Sequence, residues 1–457
     1  MDAVFRIVFI AATAAIGGFL FGFDTAIING AVGAMQRQFH ASDWAIGLTV
    51  SSALIGSAVG AWFAGGIADR YGRARAMIIT AAIFVVSGFL CGAAFSLVDL
   101  SLWRFFGGVA IGMASVIAPA YIAEIAPAHL RGRLGSLQQL AIVTGIFVAL
   151  LTDYFIAAYA GSASAPAWFG FSAWRWMFWS EIIPAVFYGV GALVIPESPR
   201  YLVARQREPE ALRVLTSIIG DQAQAKLDEI RDTISVSHVP RLSDLRGPRF
   251  GLLPIVWVGI LLSVLQQLVG INVIFYYSSV LWQSVGFSER DALAITVITS
   301  VTNVVTTLIA IAAIDRFGRR PLLLIGSIGM ALTLLAMAFV FGRAGVDAAG
   351  HPALSGASGT VALVAANLYV FCFGFSWGPV VWVLLGEMFN NRIRAIALSV
   401  AAAAQWIANF FVSVSFPFLQ HAGLGIAYGL YAAAAIASFL FVLRSVKETR
   451  GKELEQM

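Results

Sequence analysis

The feature that most limits how this chain can fold is a series of twelve long apolar runs. About 20 apolar residues in an α-helix cross the ~30 Å hydrocarbon core of a membrane. Only 12% of the 457 residues are charged, about half of the ~25% that is usual in proteins whose surface faces water. We therefore predict twelve membrane-spanning helices, at 5–35, 45–68, 76–98, 100–123, 134–160, 174–195, 251–284, 292–314, 321–342, 358–386, 395–420 and 424–443.

A polar stretch divides the twelve runs into two groups of six. It extends from Glu197 to Arg249, holds seventeen charged residues and has a pattern that suits short, solvated helices. The predicted fold is therefore an all-α integral membrane protein with two six-helix repeats. Its predicted parts are a first half at 1–196, a linker with short helices at 197–250, a second half at 251–444 and a tail at 445–457.

Lysine and arginine lie mostly at one end of the predicted bundle. If the amino terminus is inside, 24 of the 29 Lys and Arg residues are on that side, four are on the other side and Arg104 is within a run. Cytoplasmic loops carry an excess of these residues, so both termini, the linker and the tail are predicted to be cytoplasmic. The first run, 5–35, exceeds the 7–15-residue core of a signal peptide and is interpreted as an uncleaved helix.

Charged motifs recur after matching runs of the two halves. Parallel repeats of this kind form transporters with the substrate site at the repeat interface, and one half rocks against the other to alternate access. A channel is an alternative that the pattern leaves open. The recurring motifs are Asp69-Arg70-Tyr71-Gly72-Arg73 with Asp315-Arg316-Phe317-Gly318-Arg319, Glu124 and Arg131 with Glu387 and Arg394, and Glu197 with Glu448.

Motifs for nucleotide, metal and redox chemistry are absent from the sequence. It has no Gly-x-x-x-x-Gly-Lys-Ser/Thr, His-Glu-x-x-His or Cys-x-x-Cys, and Cys91 and Cys372 lie singly in apolar runs. We therefore expect no enzyme activity, no bound metal or cofactor and no disulfide framework. The basic residues lie in short clusters between runs, which does not indicate a nucleic-acid partner. Transport would be driven by the solute gradient or by a coupled ion.

Two charged side chains, Asp24 and Arg104, lie deep within predicted spans. Charges inside a membrane are costly and usually mark a solute or ion pathway, with a static ion pair between helices as the alternative. Most other polar groups in the spans are neutral, and amides bind hydroxyl groups without adding charge. Such a lining suits a neutral solute with many hydroxyls. The groups are Gln139, Gln266, Gln267, Asn272, Tyr276, Tyr277, Asn303, Gln405 and Asn409.

The seventh run contains a glycine next to several of these polar groups. Gly270 is predicted to kink the helix and to bring Gln267 onto the face that carries Gln266 and Asn272. Two tryptophans, Trp382 and Trp406, are expected to lie against the C–H faces of a ring. For any single amide, a hydrogen bond between helices is an equal alternative, but the set as a whole favours a solute cavity.

These residues together resemble the sugar porter family of the major facilitator superfamily. The resemblance extends nearly from end to end of the chain. It is carried by Gly17-Gly18-Phe19-Leu20-Phe21-Gly22-Phe23-Asp24, Asp69-Arg70-Tyr71-Gly72-Arg73, Arg104 with Gly107-Gly108, Pro196-Glu197-Ser198-Pro199-Arg200, Gln266-Gln267-Leu268-Val269-Gly270-Ile271-Asn272 and Glu448-Thr449-Arg450-Gly451.

The resemblance implies a monosaccharide site between the two halves, to which we add Phe21, Tyr276 and Asn409. It implies that Asp24 and Arg104 couple sugar transport to protons, so a proton is the expected co-transported ion. The implied sugar contacts are Gln139, Gln266, Gln267, Asn272, Tyr277, Asn303, Trp382, Gln405 and Trp406. The implied salt bridges of a cytoplasmic gate involve Asp69, Arg70, Arg73, Glu124, Arg131, Glu197, Arg200, Asp315, Arg316, Arg319, Glu387, Arg394 and Glu448.

Three positions depart from the family pattern: Ala395 replaces the glycine after Arg394, Lys447 replaces the proline before Glu448, and Ile146 stands where xylose-type members have glutamine. Ile146 is typical of glucose-type members. We predict a symporter of a hexose or pentose with a proton, acting as a monomer in a bacterial inner membrane. The alternatives are a facilitative sugar uniporter, a carrier of a cyclitol, another polyol or a hydroxylated acid, and a sugar receptor with a transporter fold.

Overall fold

The structure, a computed structural model, consists almost entirely of α-helices. It describes residues 3–126, 131–236, 242–248, 250–346, 352–354, 357–389 and 393–448. Within these residues, twelve helical spans are long and apolar enough to cross a membrane. The prediction of an all-α protein with twelve spans is confirmed.

The first six spans precede the linker. The fourth helix contains Pro119, and the sixth span consists of two helices. The helices of this half are α1 Ala3–Gln38, α2 Asp43–Tyr71, α3 Arg73–Ala93, α4 Leu97–Ile125, α5 Arg131–Ala160, α6 Ala173–Ser180 and α7 Ile182–Val194.

The linker contains three short helices, and six spans follow it. We call the end of the bundle at which residues 195–253 lie the linker face, and the other end the opposite face. The linker helices are α8 Pro199–Ala204, α9 Glu208–Ile219 and α10 Ala223–Val236. The remaining helices are α11 Pro254–Leu268, α12 Ile271–Ser284, α13 Glu289–Phe317, α14 Arg319–Gly342, α15 Ala357–Gly374, α16 Trp377–Met388, α17 Arg394–Ala422 and α18 Leu424–Ser445.

Between the helices, the described residues form four very short strands and three single turns of 3-10 helix. β1 Arg246–Gly247 pairs with β2 Gly251–Leu252, and β3 Gly345–Val346 pairs with β4 Pro352–Ala353. The 3-10 turns are Trp168–Gly170, Gly220–Gln222 and Leu242–Leu245.

Serine caps fix where several spans begin at the opposite face. The side chains of Ser42, Ser96 and Ser288 accept hydrogen bonds from the backbone N–H three residues later, at the starts of α2, α4 and α13. Each of these helices has an acidic residue in its first turn. A side-chain oxygen and a negative charge both satisfy the unpaired N–H groups at a helix start, so the local sequence defines these ends.

Three spans are broken inside the membrane region. Gly270 has φ 83°, and α12 begins after it. A β-carbon at this position would lie 2.6 Å from the Tyr431 ring, so only glycine fits both the backbone and the space. The kink predicted at Gly270 is therefore confirmed. The breaks at Glu181, between α6 and α7, and at Ser376, before α16, were not predicted.

The linker helices form a small core of their own, separate from that of the spans. Arg231 of α10 donates from Nε to Glu208 of α9 at 3.1 Å. The hydrogen bonds from Arg231 lower the pKa of the Glu208 carboxyl below its ordinary value. The core residues are Leu202, Val203, Ala211, Leu215, Ala223 and Leu227.

The two halves meet along three pairs of helices. These are α1 with α12, α5 with α13 and α2 with α17. Within the first half, α1 packs on α5 so closely that a β-carbon at Gly22 or Gly145 would overlap the backbone of the other helix. Small residues allow this approach between membrane helices. As a result α1 is held between the first half and the second half.

Candidate transport site

Asp24 of α1 and Arg104 of α4 form a buried ion pair in the first half. Arg104 donates from Nη1 to the Asp24 carboxylate and, at 3.1 Å, to the Asp24 carbonyl oxygen. Gly107, one turn further along α4, leaves the room that this carboxylate occupies, because a β-carbon there would lie 2.8 Å from Oδ2. The guanidinium also lies over the ring of Phe178, 5.9 Å from its centre. The pairing that the two sequence positions suggested is present.

Two further carboxylates lie inside spans, and sequence analysis missed both. Glu181, at the break between α6 and α7, is buried against Gly88 of α3, near enough to Asp24 and Arg104 to interact with both charges. Its Oε1 has no hydrogen-bond partner among the described residues. Asp153 of α5 is also buried and accepts a hydrogen bond from the backbone N–H of Gly30 at 3.0 Å. Both could have been found in the sequence, because each is an acidic residue inside a predicted apolar run.

The break at Gly270 brings three predicted sugar contacts into one hydrogen-bonded chain. Asn272 donates to Gln267 Oε1 at 2.6 Å, and Gln267 donates to Gln266 Oε1 at 3.3 Å. Gln266 donates in turn to the carbonyl oxygen of Trp377 at 2.7 Å, close to the break in the tenth span. Amides linked in this way fix one another's orientation. The kink therefore converts residues on different helical faces into one polar surface.

A second polar group forms where α12 meets α17. Asn409 donates to the Tyr276 hydroxyl at 3.3 Å and accepts from Ser413 Oγ at 3.1 Å. The Tyr277 hydroxyl donates to the carbonyl oxygen of Ser413 at 2.9 Å. Since this proton is already used within the protein, Tyr277 can offer a solute only an acceptor.

Phe21 and Trp406 form an aromatic contact across the two halves. Their ring centres are 5.6 Å apart, and Phe21 belongs to α1 whereas Trp406 belongs to α17. Phe21 lies one turn before Asp24 on the same helix. An aromatic face of this kind packs well against the C–H face of a sugar ring.

The other predicted sugar contacts are more dispersed. Asn303 is buried in α13, Gln139 is half-buried in α5, and Trp382 of α16 is 39% exposed. Gln405 Oε1 is buried without a hydrogen-bond partner among the described residues. The same holds for both amide atoms of Gln138, which lies beside Gly18 and was not predicted. A direct sugar-binding role of these residues remains a prediction.

The charged motifs at the linker face form two clusters with the same design. In the first half, Arg73 pairs with Glu124 at 3.0 Å and with Asp69 at 2.9 Å. Glu197 accepts from the backbone N–H of Arg73 at 2.8 Å, and Ser198 donates to Glu124. The carboxylates thus cap the start of α3 and bind its first side chain.

The second half repeats this cluster. Arg319 pairs with Glu387 at 2.7 Å, and Glu448 accepts from the backbone N–H of Arg319 at 3.0 Å. Gly72 and Gly318 occupy the same place in the two motifs with φ 97° and 86°. A β-carbon on Gly318 would lie 2.8 Å from the Glu448 carboxylate. The two pairs Arg73–Glu124 and Arg319–Glu387 therefore occupy equivalent places in the two halves.

Three further arginines of the predicted gate lie at the linker face. Arg70 lies over the ring of Tyr71 at 5.4 Å, and Arg200 is exposed on α8. Arg316 is exposed near the end of α13. The side chains of Arg131, Asp315 and Arg394 lie outside the described part of the chain.

The halves are joined at the opposite face through Asn29, which is fully buried in α1. Its amide donates to the carbonyl oxygen of Phe275 at 2.9 Å and accepts from the backbone N–H of Ser279 at 3.0 Å. The Ser279 hydroxyl donates to the Asn29 carbonyl oxygen at 2.5 Å. These three bonds hold α12 against α1, and sequence analysis did not single out either residue.

Two polar side-chain pairs, one of them a salt bridge, close the opposite face nearer its surface. Arg37 lies 3.7 Å from Glu289, which also accepts from the backbone N–H of Ala163 at 2.6 Å. His421 Nδ1 lies 2.7 Å from Asp43 Oδ2, above a cavity of about 70 Å³ between the halves. The polar contacts between described residues of the two halves thus concentrate at this face. The structure is closed at the opposite face.

Replacing Asn29 by alanine is expected to open the opposite face. Two of the three hydrogen bonds would be lost at a buried site, at about 1 kcal/mol each, so the open population should rise roughly tenfold or more. One spin label at the start of α2 and one at the end of α17, both at the opposite face, would report the distribution of distances between the two halves. Ser279→Ala, which removes one bond, should give a smaller shift of the same sign. Unchanged distances in both variants would show that these bonds do not hold the face closed.

The fold and the site define a class of protein. It is a multi-pass membrane transporter with two six-helix repeats. The chain belongs to the family of sugar (and other) transporters, whose model matches residues 10–457. The resemblance to the sugar porters is therefore confirmed.

Curated relatives match the chain over nearly its whole length. The "Glucose transport protein" of Synechocystis sp. is 60% identical over 453 residues, which cover 99% of this chain and 97% of that protein. The "D-xylose-proton symporter" of Escherichia coli K12 is 37% identical over 481 residues, covering 97% and 93%. Among solved structures, the inward open conformation of the E. coli xylose transporter has a TM-score of 0.83 at 36% identity, covering 98% of each chain.

Proposed function

We propose that this protein is a symporter that brings glucose, or a closely similar hexose, into a bacterial cell together with a proton. The observation that carries the proposal is the composition of α1. Within residues 21–29 this helix holds the Phe21 contact with Trp406, the Asp24 pair with Arg104 and the Asn29 contact with α12. One helix therefore connects a sugar-site residue, a proton-binding residue and the closure of the opposite face.

The charges around Arg104 support proton binding. Asp24 and Glu181 are two buried carboxylates beside a single buried guanidinium. With both carboxylates ionised, one buried negative charge would lack a counter-charge, which costs several kcal/mol. A proton bound at either carboxylate removes this surplus, and one bound at Asp24 also weakens the bond that ties α1 to α4. The helix is then free to move relative to the rest of the first half when sugar is present.

The choice of sugar rests on two observations. Ile146 stands in α5 where xylose-type members of the family carry glutamine, and a 60% identical relative is named a glucose transport protein. The polar chain from Gln266 to Asn272 offers amide donors and acceptors for several ring hydroxyls. Glucose presents more hydroxyl groups to such a surface than a pentose does.

Alternating access follows from the arrangement of the two faces. In the proposed orientation the linker face is cytoplasmic and the opposite face lies outside, because most Lys and Arg residues belong to the linker face. The described contacts then close the outside, and at the linker face Arg73 pairs with Glu124 and Arg319 pairs with Glu387. We propose that Glu124, Arg131, Glu387 and Arg394 join across the halves when the outside opens. The protein is expected to act as a monomer in the inner membrane.

Uptake into proteoliposomes tests the proposal. Radiolabelled glucose, xylose and arabinose would be offered with and without an inward pH gradient. Each pH unit stores about 1.4 kcal/mol per proton, which corresponds to about tenfold accumulation. Glucose is expected to accumulate until a protonophore is added. Equilibration without accumulation would instead assign the protein as a facilitator, and absence of any sugar uptake would overturn the proposed substrate class.

A further inference from the structure

The segment between α5 and α6, residues 161–172, is an exposed loop at the opposite face. We call it the aromatic loop, because it contains Trp168, Phe169 and Phe171, all exposed. It has no charged residue along its whole length. A loop that faces only water rarely combines three exposed aromatic rings with no charge.

The backbone of the aromatic loop holds Phe169 outward. The N–H of Ala167 donates to the Phe171 carbonyl oxygen at 2.7 Å, and Pro166 and Ser172 form an antiparallel bridge. At the tip, Phe169 has φ 57° and is 90% exposed. A left-handed backbone is unfavourable for a bulky residue. The centre of the Phe169 ring lies 6.1 Å from that of Trp176, and most of the Phe169 side chain remains exposed. The tip therefore displays a large apolar side chain at some conformational cost.

Aromatic contacts attach the loop to the spans beside it. Trp168 stacks on Tyr159 of α5, with ring centres 4.7 Å apart and an angle of 11°. Trp176 of α6 donates from Nε1 to the Trp168 carbonyl oxygen at 3.1 Å. Phe171 lies edge-on to Trp179, 5.2 Å away. The loop is therefore a packed extension of the exposed helix faces and not a loose tether.

The surface that the loop extends is the one that faces lipid. Phe155 on α5 and Phe187 on α7 are exposed, large and apolar on membrane-spanning helices, and the aromatic loop continues this surface beyond the helix ends. Tryptophan and tyrosine favour the membrane–water interface, where an apolar ring and a polar edge are both satisfied. A site for a soluble sugar would need hydrogen-bond donors around the rings, which Phe169 and Phe171 do not supply.

We propose that the aromatic loop is inserted into the lipid interface at the opposite face, with the Phe169 ring among the upper acyl chains. In the proposed orientation this is the outer leaflet, although insertion itself does not depend on the transport function. The same loop carries Ala163, whose N–H binds Glu289 of the other half. The tip of the aromatic loop would therefore be anchored in lipid, while Ala163 near its start contacts the second half.

Collision measurements on a spin label at position 169 test this insertion. Phe169→Cys, in a protein with Cys91→Ser and Cys372→Ser, would be labelled and reconstituted in vesicles of phosphatidylethanolamine and phosphatidylglycerol. Collisions with dissolved oxygen, which enters lipid, are expected to exceed those with a polar nickel chelate. Phe155→Cys provides a lipid-facing control on α5, and Arg290→Cys, exposed at the start of α13, provides a water-facing one.

The accessibility pattern decides the proposal. A label at position 169 that behaves like the one at 155 supports insertion. A label that meets the nickel chelate as readily as the one at 290 overturns it, and protection of such a label by added sugar would assign the loop to solute capture instead. Should Phe169→Cys fail to fold, Phe171→Cys on the same loop is expected to give the same lipid-facing pattern.

Discussion

Protein carrying Asp24→Asn is expected to exchange sugar across a membrane but to lose accumulation completely. Asparagine resembles a protonated aspartate in shape and is permanently neutral, so Arg104 loses its ionic partner in every state of the cycle. The sugar contacts predicted on α12, α16 and α17 are not changed. Counterflow of labelled glucose in proteoliposomes should therefore persist, whereas an inward pH gradient should drive no concentration of glucose above equilibrium.

The control for this variant is a nearby buried carboxylate that has no guanidinium partner among the described residues. Asp153 on α5 binds the backbone of Gly30, and Asp153→Asn keeps that acceptor oxygen. It should retain gradient-driven accumulation. Accumulation by the Asp24→Asn protein would remove Asp24 as the coupling residue. Loss of counterflow as well would indicate that the Asp24–Arg104 pair is needed for the fold or for sugar binding, and not for coupling alone.

The number and type of spans could be predicted from the sequence because the bilayer imposes one length and one composition on every crossing. The kink in the seventh span could also be predicted, because Gly270 marks it in the sequence. The break at Ser376 could not be predicted in the same way, because its backbone turn is stabilised by Trp377, whose indole donates to Ser327 Oγ at 2.8 Å on another helix. A contact between distant residues leaves no local pattern.

The residues of the candidate site also differ in whether a local sequence pattern marks them. Asp24 and Arg104 were found because a charge in an apolar run is conspicuous, and Glu181 carries the same signal but was overlooked. Asn29 and Ser279 were out of reach, because small polar residues occur throughout the spans and most bind their own helix. Only the packing of α1 against α12 reveals that these two join the halves. The sequence therefore predicts the buried charged residues of the site better than the uncharged contacts that join the two halves.

Gln267→Ala is expected to weaken glucose binding by about 10- to 100-fold. Gln267 occupies the middle of the amide chain, where it accepts from Asn272 and donates to Gln266. Its removal would leave a bound hydroxyl without a partner and would free both neighbouring amides to rotate. A buried polar group left unpaired costs roughly 1–3 kcal/mol, and each 1.4 kcal/mol is about tenfold in affinity. Isothermal titration of purified protein with glucose would measure the loss directly.

A half-buried amide elsewhere in the second half separates sugar binding from helix packing. Asn367 of α15 accepts from Thr302 of α13 at 3.1 Å and lies outside the predicted sugar set. Asn367→Ala removes a hydrogen bond between two spans of the second half, whereas Gln267→Ala removes two hydrogen bonds within the seventh span. Only Gln267→Ala should lose affinity for glucose. Equal affinity in the two variants and the wild type would mean that the amide chain at Gly270 is a packing device, and the sugar site would then have to lie closer to Phe21 and Trp406.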